Sequence, residues 1–209
     1  EERIVKKRSS LAEQAILAEI SLTPKPGLVD QFSSGSHSDM NYQTFVDSTM
    51  AISPWFEELV REGLAFQDLD LTQALPRLRN IGLQMEAAMF EATGNVNTQK
   101  GIIFLMGLSL YASGQLFKQH EQFQVPVFRK IIQDICKGLV ARELINFAGS
   151  GKSHGEKIFR KYGFSGARGD AENWFAKFID LGLPELIQVG QLNDESLIKC
   201  LLSIAANNN

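Results

Sequence analysis

Apolar residues recur every three or four positions along almost the whole chain, the spacing of one face of an α-helix. Leu11, Ala15, Ala18 and Leu22 form the first stripe, Ser10 and Glu13 stand at capping-box spacing before it, and Pro24 and Pro26 end it. Pro24 to Met40 has no period and is dense in Pro, Gly, Ser, Asp and His, so it predicts a long loop. Helical spacing resumes through Phe45, Thr49, Ile52, Phe56 and Leu59, with Pro54 placed to kink or split the helix. Leu71, Leu75, Leu78, Met85 and Met89 mark another stripe that ends near Thr93-Gly94. Ile102 to Ala112 is apolar on nearly all sides, which predicts a helix buried at the centre of a bundle, with Gly114 as its stop.

Further along, Pro126 suits a first helical turn, and Ile131, Ile135, Leu139 and Leu144 or Ile145 continue that helix. Ser153 and Glu156 repeat the capping-box spacing ahead of Ile158, Phe159 and Tyr162, and Gly163 fits a left-handed cap. Gly166-Ala167-Arg168-Gly169 reads as a loop, followed by a helix from Asp170 that buries Trp174, Phe175 and Phe178. A last helix from Asp194 buries Leu197, Leu201 and Ile204. With no period-two run and no strand–helix alternation, the pattern predicts an all-α fold. It is a single multi-helical bundle domain over residues 1–209, about eight helices around one core, with a buried central helix.

Composition narrows the class. Of 209 residues, 44% are hydrophobic and 22% charged, with a net charge of −3. These values exclude a disordered tail, a collagen-like chain and a disulfide miniprotein. Mild acidity argues against a dedicated nucleic-acid binder. The apolar stretch Gly101–Ala112 is shorter than the roughly 20 residues of a membrane span, and no charged-then-apolar signal opens the chain. No nucleic acid and no membrane are therefore expected among the partners, and the location expected is cytoplasmic. Cys136 and Cys200, far apart within apolar helical patterns, read as core thiols of a reducing compartment. The chain opens on Glu1 and closes on Asn209 straight after an apolar helix, which reads as a domain lacking its C-terminal continuation.

Polar chemistry gathers in three places. In Thr23-Pro24-Lys25-Pro26-Gly27-Leu28-Val29-Asp30, two prolines stiffen the backbone around Lys25, a point-charge partner for phosphate; Asp30 and Asp39 can ligate a hard cation or accept a proton. The alternative is a surface loop whose Asp residues cap helices. The second place is Glu86 with Thr93-Gly94-Asn95-Val96-Asn97-Thr98-Gln99-Lys100-Gly101. Free N–H groups at the start of the buried helix and Lys100 beside them make an anion site, and Glu86 points inward beside the loop. A capped helix start with a surface glutamate is the alternative. In the third, Gly166 to Glu172, Arg168 offers a planar fork for phosphate, and Asp170 and Glu172 are metal ligands or a helix N-cap and first-turn acid. His154 and His120 read as surface residues. No Cys/His spacing suggests zinc, and no nucleophile elbow is present. Phosphate with a divalent cation is the chemistry these residues suggest.

Taken together, the three segments resemble the triphosphoribosyl-dephospho-CoA synthase family, which makes the prosthetic-group precursor of citrate lyase and malonate decarboxylase. The resemblance is carried by Leu22 to Asp30 with Gly35, His37, Asp39 and Met40, and by Glu86, Met89-Phe90, Thr93-Gly94, Val96-Asn97-Thr98 and Lys100-Gly101. Gly138-Leu139, Arg142-Glu143-Leu144, Gly155-Glu156-Lys157, Gly166-Ala167-Arg168-Gly169 and Ala171-Glu172 complete it over nearly the whole chain. The chain departs from the family pattern at Asn95, where glycine is usual, at Gln99, where histidine is usual, and near Ala141, where an acid is usual. Gln99 cannot titrate, so a proton-transfer role at that position is lost while hydrogen bonding survives.

The resemblance implies transfer of the triphosphoribosyl group of ATP to the ribose 2′-hydroxyl of 3′-dephospho-CoA, with release of adenine. Glycosyl transfer at C1′ needs a clamped triphosphate, a general base for the incoming hydroxyl, and a hydrogen bond or proton for the departing base. On this implication Lys25, Lys100 and Arg168 hold phosphates and Asn97 and Thr98 line the anion loop. His37 contacts phosphate or base. Asp39 or Glu86 is the general base, and Asp30, Glu86 and Glu172 are ligands of a magnesium ion. ATP and 3′-dephospho-CoA are the expected partners, and a homodimer is the assembly carried forward. The competing expectation is a nucleotide-binding helical module of the same family with impaired catalysis.

Overall fold

The computed structural model describes residues 1–145, 154–190 and 192–207 (for His154 and Gly155, the backbone alone). Among the described residues the chain forms ten α-helices and no strand, the all-α fold that the apolar spacing predicts.

Helix α1 (Glu2–Ser21) starts well before Ser10 and buries Val5, Ser9, Ala12, Ile16 and Ile20 along one stripe, so of the expected stripe Leu22 is buried while Leu11, Ala15 and Ala18 are exposed. Ser10 is thus not a cap. It lies mid-helix on the exposed side, where its Oγ accepts from Gln14 Nε2. The proline-rich segment then runs without helix as far as Asn41, whose side chain and that of Thr44 form a reciprocal capping box for α2 (Tyr42–Ile52). Pro54 splits the next stretch as expected: a tight turn at Ser53–Trp55 separates α2 from α3 (Phe56–Ala65). A 3₁₀ turn at Leu71–Gln73 leads into α4 (Ala74–Ala92).

Helix α5 (Lys100–Gln119) passes straight through Gly114 instead of stopping there. The reason is packing. A Cβ on Gly114 would stand 2.3 Å from the Val60 carbonyl oxygen, and one on Gly63 would stand 2.1 Å from that of Tyr111, so α3 and α5 cross in backbone contact. Gln115 Nε2 then donates to the Gly63 and Phe66 carbonyls and Lys118 Nζ to Phe66, satisfying the end of α3. At twenty residues α5 is longer than the sequence expectation and meets the length and composition of a membrane span, but here α1, α3, α4 and α6 cover it. One core joins α1 to α4 with Ile103 and Leu110 of α5. A second joins Leu108, Tyr111 and Ala112 of α5 to Phe66, Leu75, Ile132, Ile135, Cys136 and Leu139. Helix α5 is therefore the shared central element.

After α6 (Val125–Ile135), which carries Pro126 in its first turn, the chain turns at Gly138 and enters a wide i→i+5 turn at Ala141–Ile145. Helix α7 (His154–Tyr162) ends at Gly163, φ +77°, as its sequence predicts. Ser153, the expected cap, lies outside the described residues. Two expectations fail in the next segment. Gly166 to Gly169 is not a loop but the first half of α8 (Gly166–Glu172), and Gly169 is buried against the Ser165 side chain. The helix expected from Asp170 breaks at Trp174 and Phe175, both left-handed, and Phe178 is exposed. A second wide turn at Phe178–Gly182, α9 (Leu183–Val189) and α10 (Asp194–Ala206) pack together, with Gly182 against Cys200 and Ile204. Leu201, expected inside, is exposed, and Ser196 and Cys200 take the buried positions. Both cysteines are free and buried, and burial pushes the Cys136 thiol up to about 12.

Candidate functional site

Lys25 is not presented to solvent. Its side chain is only 4% exposed, and Nζ donates to the Glu19 carbonyl at 2.7 Å and to Glu19 Oε1 at 2.9 Å, closing the C-terminal end of α1. Asp30 is spent in the same way. Its Oδ1 accepts the N–H groups of Phe32 and Ser33 and its Oδ2 that of Lys25, so these donors hold its carboxyl below the ordinary aspartate range. The first polar segment is therefore a self-satisfied loop. His37 and Asp39 remain exposed, with Nδ1 and Oδ1 3.6 Å apart.

The second segment caps α4 and opens α5. Gly94 and Asn95 both have positive φ, +63° and +69°, and the Asn95 N–H reaches back to the Phe90 carbonyl. Asparagine is the residue other than glycine that most readily takes this conformation, so Asn95 can stand where the resemblance implies glycine. Asn97 Oδ1 accepts the Lys100 N–H. Thr98 Oγ1 donates to Ser48 Oγ at 2.7 Å, and Gln99 Nε2 donates to Thr49 Oγ1 at 2.9 Å and to the Phe45 carbonyl. Ser48, Thr49 and Gln99 are buried, so a small polar seam locks the start of α5 to α2, and Gln99 Oε1 is left without a hydrogen-bond partner. Just outside that seam, Lys100 Nζ lies 2.7 Å from Glu86 Oε2.

In the third segment Arg168 Nε donates to Glu143 Oε2 at 2.9 Å, and its other arm stands 4.0 Å from Glu156. The second oxygen of Glu143 accepts from Arg79 on α4. Glu172 turns the other way, taking the Val140 N–H on its Oε2. Arg79 and Glu86 are seven residues apart on α4, so they share one face about 10.5 Å apart along the axis. That face gathers the second and third segments: Glu86 holds Lys100, and Arg79 holds Arg168 through Glu143. Arg79 is not among the residues the sequence singles out, although its i, i+7 spacing from Glu86 puts it on the same helix face.

Not all expected residues come together. Lys25 and Asp30 are engaged at the end of α1, and Glu172 faces the turn after α6. Among the described residues no group of three or more His, Cys, Asp or Glu side chains is gathered closely enough to hold a metal ion. Asp30, Glu86 and Glu172 thus do not make the shared magnesium site that was expected: each carboxylate already accepts from a separate donor. Two cavities, of about 600 and 270 Å³, lie elsewhere, one around Phe66 and Arg77 and the other around Lys6, Glu13 and Glu57; neither is lined by a candidate residue.

An all-α domain whose central-helix start and neighbouring turns present carboxylate-paired cations along one helix face is the class of protein these features define. Residues 6–209 match the family described as CitG: ATP:dephospho-CoA triphosphoribosyl transferase, and the chain belongs to that family. It is 37% identical, over 95% of its length, to the probable 2-(5''-triphosphoribosyl)-3'-dephosphocoenzyme-A synthase of Photobacterium profundum, of which it spans 64%. It is 38% identical, over 96% of its length, to the synthase of that name from Escherichia fergusonii, spanning 68% of it. Protein CitXG of Leuconostoc mesenteroides subsp. cremoris is 39% identical over 92% of the chain and 42% of its own length. The chain thus spans about two thirds or less of these relatives. No solved structure matches it.

Proposed function

We propose that this chain acts in transfer of the triphosphoribosyl group of ATP to the ribose 2′-hydroxyl of 3′-dephospho-CoA, with adenine as the leaving group. The observation that carries the reading is the α4 face, where Glu86 pairs with Lys100 of the second polar segment and Arg79 pairs with Glu143, which also holds Arg168 of the third. A triphosphate arriving there meets Lys100 beside Glu86, and the ammonium has only to exchange that carboxylate for phosphate.

In this reading the C1′–N9 bond of ATP breaks as the C1′–O2′ bond forms, through an oxocarbenium-like transition state. Glu86 takes the proton of the 2′-hydroxyl. Lys100, drawn onto phosphate, frees the Glu86 carboxylate to accept that proton. Glu86 is preferred over Asp39 because its side chain is 21% exposed against 60%, and a sheltered carboxylate is less blunted by water. The electron pair of the broken bond stays on N9, which takes a proton from water while Glu86 returns its proton to solvent, and Asn97 and Thr98 sit at the loop where the nucleotide would lie. Among the described residues no three carboxylates gather, so a magnesium ion would be held chiefly by the oxygens of the triphosphate it accompanies. Cytoplasmic action goes with ATP as donor.

A second reading, nucleotide binding without transfer, draws on the buried, non-titrating Gln99 and its structural bonds to α2. Adenine release from ATP, followed chromatographically with and without 3′-dephospho-CoA, separates the two. Acceptor-dependent adenine in step with a heavier acceptor supports transfer. A nucleotide-dependent rise in melting temperature without adenine supports the second reading. The absence of both responses would sink both readings.

A further inference from the structure

We propose that Arg79 and Arg168, gathered around Glu143, form a second anion subsite that takes the diphosphate bridge of the acceptor nucleotide. The identity of that ligand rests on the transferase reading; the existence of the subsite does not.

Three separate elements build it. Arg79 comes from α4, Glu143 from the wide turn at Ala141–Ile145, and Arg168 from α8. Wide i→i+5 turns are rare in helical chains and recur at functional sites. Each oxygen of the Glu143 carboxylate serves one guanidinium, Oε1 for Arg79 and Oε2 for Arg168. A guanidinium carries five N–H donors in a fixed fork, so one carboxylate leaves most of both forks available. The Arg79 side chain is 55% exposed and that of Arg168 31%, so an incoming anion can reach them. Glu156, 4.0 Å from Arg168, brings the cluster close to neutral, and recognition therefore rests on donor geometry rather than on excess charge. A diphosphate offers more acceptor oxygens than the two of Glu143 and displaces it while keeping the same two forks.

The cluster lies about 10.5 Å along α4 from the Glu86–Lys100 pair and on the same face. Two substrates that each carry a phosphate chain and must meet at one sugar carbon need two such anchors. Lys100 anchors the donor beside the base, and the arginine pair anchors the acceptor two turns away.

Calorimetric titration of the chain with inorganic pyrophosphate, ATP and 3′-dephospho-CoA tests this, using Arg79→Gln, Glu143→Gln and, as control, Arg61→Gln, whose guanidinium pairs with Glu2 and Glu57 and not with Glu143. Losing a charge-assisted fork should weaken pyrophosphate and dephospho-CoA binding about tenfold or more by Arg79→Gln, with ATP changed less than about threefold. Glu143→Gln removes the competing carboxylate and should tighten pyrophosphate. Arg61→Gln should leave all three unchanged. Wild-type pyrophosphate affinity in Arg79→Gln, or weakening by Glu143→Gln, overturns the subsite and leaves a structural clamp. Loss of ATP rather than dephospho-CoA overturns the assignment to the acceptor. Weakened pyrophosphate binding by Arg79→Gln in a chain that never releases adenine upholds the subsite and brings down the transferase reading alone.

Discussion

Lys100 Nζ lies 2.7 Å from Glu86 Oε2, although the first belongs to the opening turn of α5 and the second to the last two turns of α4. The contact ties the start of the central helix to the one face of α4 on which cations collect. It also means that the proposed base and the proposed phosphate anchor satisfy each other until a stronger anion arrives.

Glu86→Gln should lower the rate of adenine release by about 10²–10⁴-fold, the range for removing a general base. The melting temperature should hardly move, because an ion pair whose lysine stays in contact with solvent is worth about 0–1 kcal/mol. ATP affinity should be kept or raised, since Lys100 is freed. Steady-state kinetics beside a thermal melt read both, and an unchanged turnover removes Glu86 from the mechanism.

Lys25→Ala is expected to act first on stability. The buried ammonium closes the end of α1 through two bonds to Glu19, and losing hydrogen bonds of this charge-assisted kind costs about 1.5–3 kcal/mol. A melt should show a fall of several degrees. A variant with an intact melting temperature but weakened ATP binding would show instead that the ammonium leaves Glu19 for the nucleotide.

Gly114→Ala and Gly63→Ala should each destabilise by about 1–3 kcal/mol or more, because the added methyl meets backbone rather than a side chain that can swing away. For a chain of this size that is a drop of about 2–4 °C per kcal/mol. Gly101→Ala, where an added Cβ meets nothing, is the control. Equal melting temperatures for all three would refute the close crossing of α3 and α5.

Asp30 makes the acid limb of stability specific. Its carboxyl is held below the ordinary range by the N–H groups of Phe32, Lys25 and Ser33, so its contribution is fully present above the unfolded-state value, near 3.9, and fades as pH falls through the lower folded-state value. Urea unfolding of wild type and Asp30→Asn should therefore differ most near neutral pH and converge below about pH 4. A gap that stays constant to acid pH would show that the carboxylate charge is irrelevant.

Much of the site's chemistry was legible as residue types but not as partnerships. Glu86, Lys100 and Arg168 could be picked out because charge beside glycine and a helix start is unusual. That Lys25 would fold back onto Glu19 could not, because a lysine on a stiff loop reads the same whether it points outward or inward. Arg79 went unseen for a related reason: an arginine on an exposed helix face is ordinary until the turn at Ala141–Ile145 brings Glu143 against it.

The linear pattern by itself determined the helical class, the central position of the segment after Gly101 and the break at Pro54, since apolar period and proline chemistry are local properties of the chain. Tertiary structure alone decided that α5 would run through Gly114, that Gly166 to Gly169 would be helical, and which carboxylate each cation would find. Those outcomes depend on close approach between elements far apart in sequence, where a missing Cβ admits a neighbouring backbone and an ion pair forms only between groups that packing has already brought within reach.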